Sequence, residues 1–166
     1  MTPDSSQYTI VGCGAHARRV AHALLRAGDG IRRFLDDAPG EPPIAGASRE
    51  LLRDAAPRVA GELVIVAIGA RTVRSRLCAE LSARGFTLGT VVHPTAIIAP
   101  DAVIAPGAVI LAGAIIESQA SVEAGAIIDV GAIVDHDAVV RAYAHIRPGV
   151  VVSAYTTFSE SEDTSA

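Results

Sequence analysis

Ile98-Ala-Pro-Asp-Ala-Val-Ile104-Ala-Pro-Gly-Ala-Val-Ile110 opens a run in which an apolar anchor returns at every sixth position. The series continues through Ile116, Val122, Ile128, Val134, Val140, Ile146 and Val152 to Phe158 without a miss. Four places after each anchor stands a small residue, alanine eight times in succession from Ala102 to Ala144, then Val150 and Thr156. Three places after each come Asp101, Gly107, Gly113, Gln119, Gly125, Gly131, Asp137, Tyr143, Gly149 and Tyr155, mostly types that tolerate turn geometry. Each hexad reads as one short strand and one bend. Stacked hexads make a parallel β-helix, in which a rung buries its apolar side only against its neighbours. An ordinary sandwich would alternate with period 2 and would not place glycine at every sixth position.

Upstream of this run the pattern changes to strand and helix in alternation. Tyr8–Val11 reads as a buried strand, Gly12–Ala15 as a turn and Ala17–Arg26 as a helix with Val20, Ala21, Leu24 and Leu25 on one face. Ile31–Leu35 and Leu63–Ile68 read as further strands, and Arg71–Arg84 as a helix stopped by Gly85. The proline- and glycine-rich segment 38–46 reads as loop, and Ser48 as the cap of a short helix through Arg53. A last strand near Thr87–Val92 leads into His93-Pro94 as a hinge. The predicted architecture is a small Rossmann-like α/β domain of three or four strands over residues 1–92. A hexad solenoid follows over 93–158, then an acidic, disordered tail over 159–166.

Composition narrows the chemistry. Of 166 residues 31 are alanine and 4% are aromatic, so the core is built from small and branched aliphatic side chains. All 14 basic residues are arginine, which excludes any mechanism that needs a lysine base or Schiff base. The net charge of −4, without basic clusters, argues against a nucleic-acid partner. Met1 to Gln7 has neither the charged nor the apolar region of a leader, and no apolar run approaches a membrane span, so the default expectation is cytoplasmic. Cys13 and Cys78 stand 65 positions apart, without metal-ligand or disulfide spacing, and read as reduced structural thiols.

Gly12-Cys-Gly14-Ala-His-Ala17 matches a phosphate-binding turn in the context that turn requires, after a strand and at the start of a helix. Free N–H groups and the helix dipole favour an anion there. Asp36 lies at the end of the second strand, where a carboxylate can accept from ribose hydroxyls. About 90 residues make one mononucleotide half of a doubly wound fold, so a nucleotide or nucleotide-linked ligand fits better than a dinucleotide. His16 is either a donor to that ligand or a solvated loop residue. In the solenoid, charge concentrates at Val134-Asp-His-Asp-Ala138. A neighbouring carboxylate can hold His136 in one tautomer and make it more basic, as a general base near neutral pH requires. His145 follows half a coil later, and the spacing of the two, without a third solenoid histidine, suits no zinc site.

These segments together resemble the nucleotide-sugar acetyltransferases of the left-handed β-helix class, the relatives of sialic-acid O-acetyltransferase and bacillosamine N-acetyltransferase. The resemblance runs from about Tyr8 to Val152. It is carried by Ile-Val-Gly-Cys-Gly-Ala-His16, Phe34-Leu-Asp-Asp37, Val66-Ala-Ile-Gly69, Val92-His-Pro94, Ile133-Val-Asp-His-Asp137 and His145-Ile-Arg-Pro-Gly149. It implies a left-handed prism assembled as a homotrimer, with active sites between subunits, that transfers an acetyl group from acetyl-CoA to a nucleotide-linked amino sugar without a metal. It implies His136 as the base and Asp137 as its partner. It places Gly12, Gly14, His16, Asp36, Asp37 and Gly69 at the nucleotide sugar and His145 at acetyl-CoA. Two departures stand out. The repeat stops at Phe158, where the family usually adds coils that form much of the coenzyme A groove, and Ala70-Arg71 replaces a common aspartate or asparagine. The first motivates a rival reading, a non-catalytic nucleotide-sugar scaffold that has lost its acetyl-CoA half.

Overall fold

The computed structural model describes residues 6–160, so of the tail expected over 159–166 only Ser159 and Glu160 fall within the described residues. Five parallel strands form the first sheet: β1 (Gln7–Val11), β2 (Gly30–Leu35), β3 (Arg49–Glu50), β4 (Leu63–Val66) and β5 (Thr87–Leu88). Their order is β3-β2-β1-β4-β5. Helix α1 (Ala15–Ala27) crosses from β1 to β2, and α2 (Arg71–Ala83) from β4 to β5. Helix α1 buries Ala17, Val20, Ala21 and Leu24, the i, i+3, i+4, i+7 stripe of an amphipathic helix. It ends at Gly28, whose φ of 88° turns the chain so that the Asp29 N–H reaches back to the Leu24 carbonyl at 3.0 Å.

Several local expectations are corrected. Leu25, expected on the same face of α1 as Val20, Ala21 and Leu24, is exposed, because the buried stripe runs from Ala17 to Leu24, and the sheet has five strands rather than three or four. Ser48 caps no helix: Arg49–Glu50 pairs along Phe34–Leu35 as the edge strand, and only the single 3-10 turn Leu52–Asp54 follows. The open backbone groups of β2 take this segment, and tertiary pairing overrides the cap signal. The strand expected near 87–92 is two strands. β5 pairs with β4, whereas β6 (Val91–Val92) already belongs to the solenoid. The chain changes sheets at Gly89, where a side chain would run into the Tyr8 ring, and Tyr8 Oη donates to the Thr90 carbonyl at 3.0 Å.

From Val91 onward every strand has two residues, and the anchor is always the second. One face stacks β6, β9 (Val109–Ile110), β12 (Ile127–Ile128) and β15 (His145–Ile146). The second stacks β7 (Ile97–Ile98), β10 (Ile115–Ile116), β13 (Ile133–Val134) and β16 (Val151–Val152). The third stacks β8 (Val103–Ile104), β11 (Ser121–Val122), β14 (Val139–Val140) and β17 (Thr157–Phe158). All pairings are parallel and in register, Ile116 over Ile98 and under Val134, so three hexads make one coil. The prism interior is a column of anchors interleaved with alanines that are fully buried from Ala108 to Ala144. Of the ten bend positions, nine have φ between 56° and 79°, and Asp101 alone does not.

The two halves share a core. The outward residues Val91, Val109 and Ile127 of the first face are buried with Leu111 against Tyr8, Ala17, Val20 and Leu24. An apolar outer column on one face of the prism is what seats α1 there. The fourth member of that column is His145, so the apolar contact gives way to a polar one on that rung.

Candidate functional site

Where α1 begins, the chain passes through Gly12, whose φ is 104° and whose missing side chain leaves room for the Ala67 carbonyl 3.1 Å from where a Cβ would sit. Gly14 takes the N-cap position, and no side chain caps the helix, so its first turn keeps free N–H groups beside an open glycine. Asp36 holds this turn in place: one carboxylate oxygen accepts from the Cys13 N–H at 2.9 Å and the other from the Ala38 N–H at 2.9 Å. Both oxygens of the proposed ribose acceptor therefore already brace the loop, each with a lone pair to spare. Asp37 is exposed and accepts from the Arg53 N–H at 3.1 Å. Gly69, at the end of the β4 segment, has open space on its side-chain position.

His16 lies in the first turn of α1 and meets His145 across the junction, with ring centroids 6.2 Å apart. The structure thus brings together two histidines that the sequence assigns to different ligands. His145 Nε2 bonds to Asp129 Oδ2 at 3.0 Å, and the buried Asp129 also takes the guanidinium of Arg19 from α1. Burial alone would raise the Asp129 carboxyl. Hydrogen bonds from Arg19, the Val130 N–H and His145 outweigh it and hold the group below the usual carboxylate range. Among the described residues His16 has no such partner. Its Nε2 is buried without a hydrogen bond, and desolvation, helped by the charges of His145 and Arg19, lowers its pKa to about 4. A buried ring nitrogen left unpaired costs about 1–3 kcal/mol, which a ligand group reaching it would recover.

A second tie joins the halves. Arg74 of α2 is fully buried and donates to the carbonyls of Ile68 and Gly69 at 2.8 and 2.6 Å, of Gly125 at 2.8 Å and of Tyr143. It fixes Gly69 to the solenoid. Asp129, Arg19 and Arg74 were not singled out by the sequence, and only Arg74 left a trace there: it precedes Leu77, Cys78 and Leu81 on the inward stripe of α2. The thiols are free, and burial pushes Cys78 up to about 11.

His136 stands elsewhere, on the edge between the second and third faces. Its Nδ1 meets Asp137 Oδ2 at 2.9 Å, and the side chain is 46% exposed. The Asp137 hydrogen bond lifts its pKa above the ordinary histidine value, with the charges of Asp135, Asp137 and Glu117 adding to it against a small desolvation. Within one chain, then, His136 and the His16–His145 pair occupy different sides of the prism. Among the described residues no group of three or more His, Cys, Asp or Glu side chains is placed to hold a metal ion, and no helix is long and apolar enough to cross a membrane.

Comparison with known proteins accords with this architecture. Residues 8–81 match the PglD N-terminal domain family. The acetyltransferase domain of PglB from Neisseria gonorrhoeae, solved in complex with acetyl coenzyme A, is 29% identical, with a TM-score of 0.83 over 93% of this chain and 76% of its own. PerB from Caulobacter crescentus, solved in complex with CoA and GDP-perosamine, is 26% identical, with a TM-score of 0.74 over 88% and 70%. WeeI from Acinetobacter baumannii, at 19% identity, shares the fold with a TM-score of 0.77 over 89% and 72%. No curated protein sequence matches the chain. With residues 8–81 similar to the PglD N-terminal domain and the hexad prism behind them, the chain is similar over nearly all of its length to the nucleotide-sugar acetyltransferases of the left-handed β-helix class.

Proposed function

We propose that the protein transfers an acetyl group from acetyl-CoA to a nucleotide-linked amino sugar, with His136 as general base. The observation that carries the reading is the His136–Asp137 pair. Asp137 engages Nδ1, which fixes the tautomer and leaves Nε2 to take a proton. As the sugar amine, or a hydroxyl in its place, attacks the thioester carbonyl, Nε2 accepts the proton it loses. Collapse of the tetrahedral adduct breaks the carbon–sulfur bond, and the proton returns to the coenzyme A thiolate. The nucleotide sugar lies along the glycine turn, with its phosphates at the open start of α1 and His16 within reach. Acetyl-CoA lies near His145. The PglB and PerB complexes, with acetyl coenzyme A and with CoA and GDP-perosamine, support both ligand classes.

The two histidine sites lie on different sides of one chain, so the active site is completed by a second copy, in a homotrimer. The outer column of the second face supports this assembly: Ile97 and Val151 are exposed, and Ile115 and Ile133 between them are half-buried. This apolar stripe runs up to the His136 edge, so a copy that covers it reaches the imidazole.

Coenzyme A release, measured with candidate nucleotide amino sugars, tests the reading. His136→Ala abolishes turnover while the fold is retained. In wild-type enzyme kcat rises with pH as the imidazolium loses its proton, through a midpoint above 6.5, and Asp137→Asn moves that midpoint down. A His136→Ala rate equal to wild type discards the base. Calorimetric binding of a nucleotide sugar with none of acetyl-CoA makes the protein a scaffold instead.

A further inference from the structure

The left-handed bends fall into three vertical columns, one on each edge of the prism. Between the first and second faces the column is Gly113, Gly131 and Gly149. Between the third and first it is Gly107, Gly125 and then Tyr143. Between the second and third faces, the edge that carries His136, it is Gln119, Asp137 and Tyr155, with no glycine at all. Left-handed backbone strains any residue that has a Cβ and leaves glycine unstrained. Where the strain is kept, the side chain has a task to be sought.

Three of the four strained residues have one in view. Gln119 Nε2 donates to Asp101 at 2.9 Å, Asp137 holds His136, and Tyr143 packs against the core under α2. Tyr155 is the fourth. It is 77% exposed, so core packing does not account for it. It sits one coil above Asp137, with its N–H on the His136 carbonyl at 3.4 Å, and its ring meets the imidazole edge to face at 5.1 Å and 88°.

We propose that Tyr155 is a positioning residue for the acetyl transfer: its ring and the Asp137 carboxylate hold the His136 imidazole from two directions, in the one rotamer that keeps Nδ1 on Asp137 and presents Nε2. The inference rests on His136 acting as the base. An aromatic pair of this kind biases a rotamer by about 2- to 10-fold, which sets the size of the effect on rate.

The test compares Tyr155→Gly and Tyr155→Phe with wild type, reading the melting temperature, kcat, KM for both substrates, and the ring-proton NMR signals of His136 through a pH titration. Glycine relieves the left-handed strain, so Tyr155→Gly melts at or above the wild-type temperature while kcat falls about 2- to 10-fold, both KM values hold and the His136 signals shift. Tyr155→Phe keeps the ring and recovers most of the lost kcat. A merely structural role gives the opposite signature, a lower melting temperature with kcat per folded enzyme unchanged, and overturns the proposal. Unchanged His136 signals in Tyr155→Gly overturn it as well, as does a Tyr155→Phe as slow as Tyr155→Gly. If His136→Ala keeps its rate, the base assignment falls on that result alone, whereas contact between the two rings is decided separately by the NMR signals.

Discussion

Acid sets His16 against its surroundings, and the size of the conflict follows from the structure. Its side chain is half-buried beside His145 and Arg19, with Nε2 itself buried and unpaired among the described residues, and its pKa is about 4 against 6.5 for an unperturbed histidine. Between those values the unfolded chain binds a proton that the folded protein refuses. Stability from this residue is therefore fully present above about pH 6.5 and is lost as the pH falls through the folded value. A difference of roughly 2.5 units at 1.36 kcal/mol each amounts to about 3 kcal/mol. For a chain of this length that is about 6–12 °C in melting temperature. Other groups titrate over the same range, so the informative quantity is the difference between wild type and His16→Asn, which cannot take up the proton. Urea unfolding at a series of pH values should show wild type losing about 3 kcal/mol more than His16→Asn between pH 6.5 and 4. Parallel stability curves would refute the argument, since they would mean that His16 is as easily protonated in the fold as out of it.

Two further outcomes test the joints of the molecule. Arg74→Met keeps the stem of the side chain but leaves four carbonyls of the two halves without their donor, partly offset by removal of a desolvated charge; a net loss of about 3 kcal/mol in calorimetric or urea unfolding is expected, and an unchanged stability would deny the clamp. Ile115→Glu places a charge in the middle of the outer apolar column of the second face; if the proposed trimer forms through it, light scattering should give a trimer for wild type and a monomer for the variant, with coenzyme A release lost in parallel. A trimer that persists in Ile115→Glu would move the subunit contact to another face.

The hexads were legible because their information is local. Each rung repeats the same demand, one buried anchor, one inward alanine and one bend, so Ile98 to Phe158 specifies a prism without reference to any distant residue. The glycine turn was legible for the same reason, as a short string between a strand and a helix. The Ser48 cap failed because an edge of β2 was waiting for Arg49–Glu50, and no local pattern reports that. The divided strand at Gly89 failed likewise, since only the Tyr8 ring decides where the chain must leave the first sheet.

Residue types and period alone settled the two halves of the chain and the carboxylates that flank His136. Tertiary structure decided which side chains meet. It seated α1 on the Val91–Val109–Ile127 column, brought His16 to His145, and supplied Asp129 and Arg19 from elements far apart in sequence. It also raised Tyr155 over the imidazole one coil below. The physical reason is that secondary structure follows from interactions between near neighbours in the chain. A polar site is set instead by long-range packing, which fixes where a desolvated nitrogen or carboxylate finds its partner.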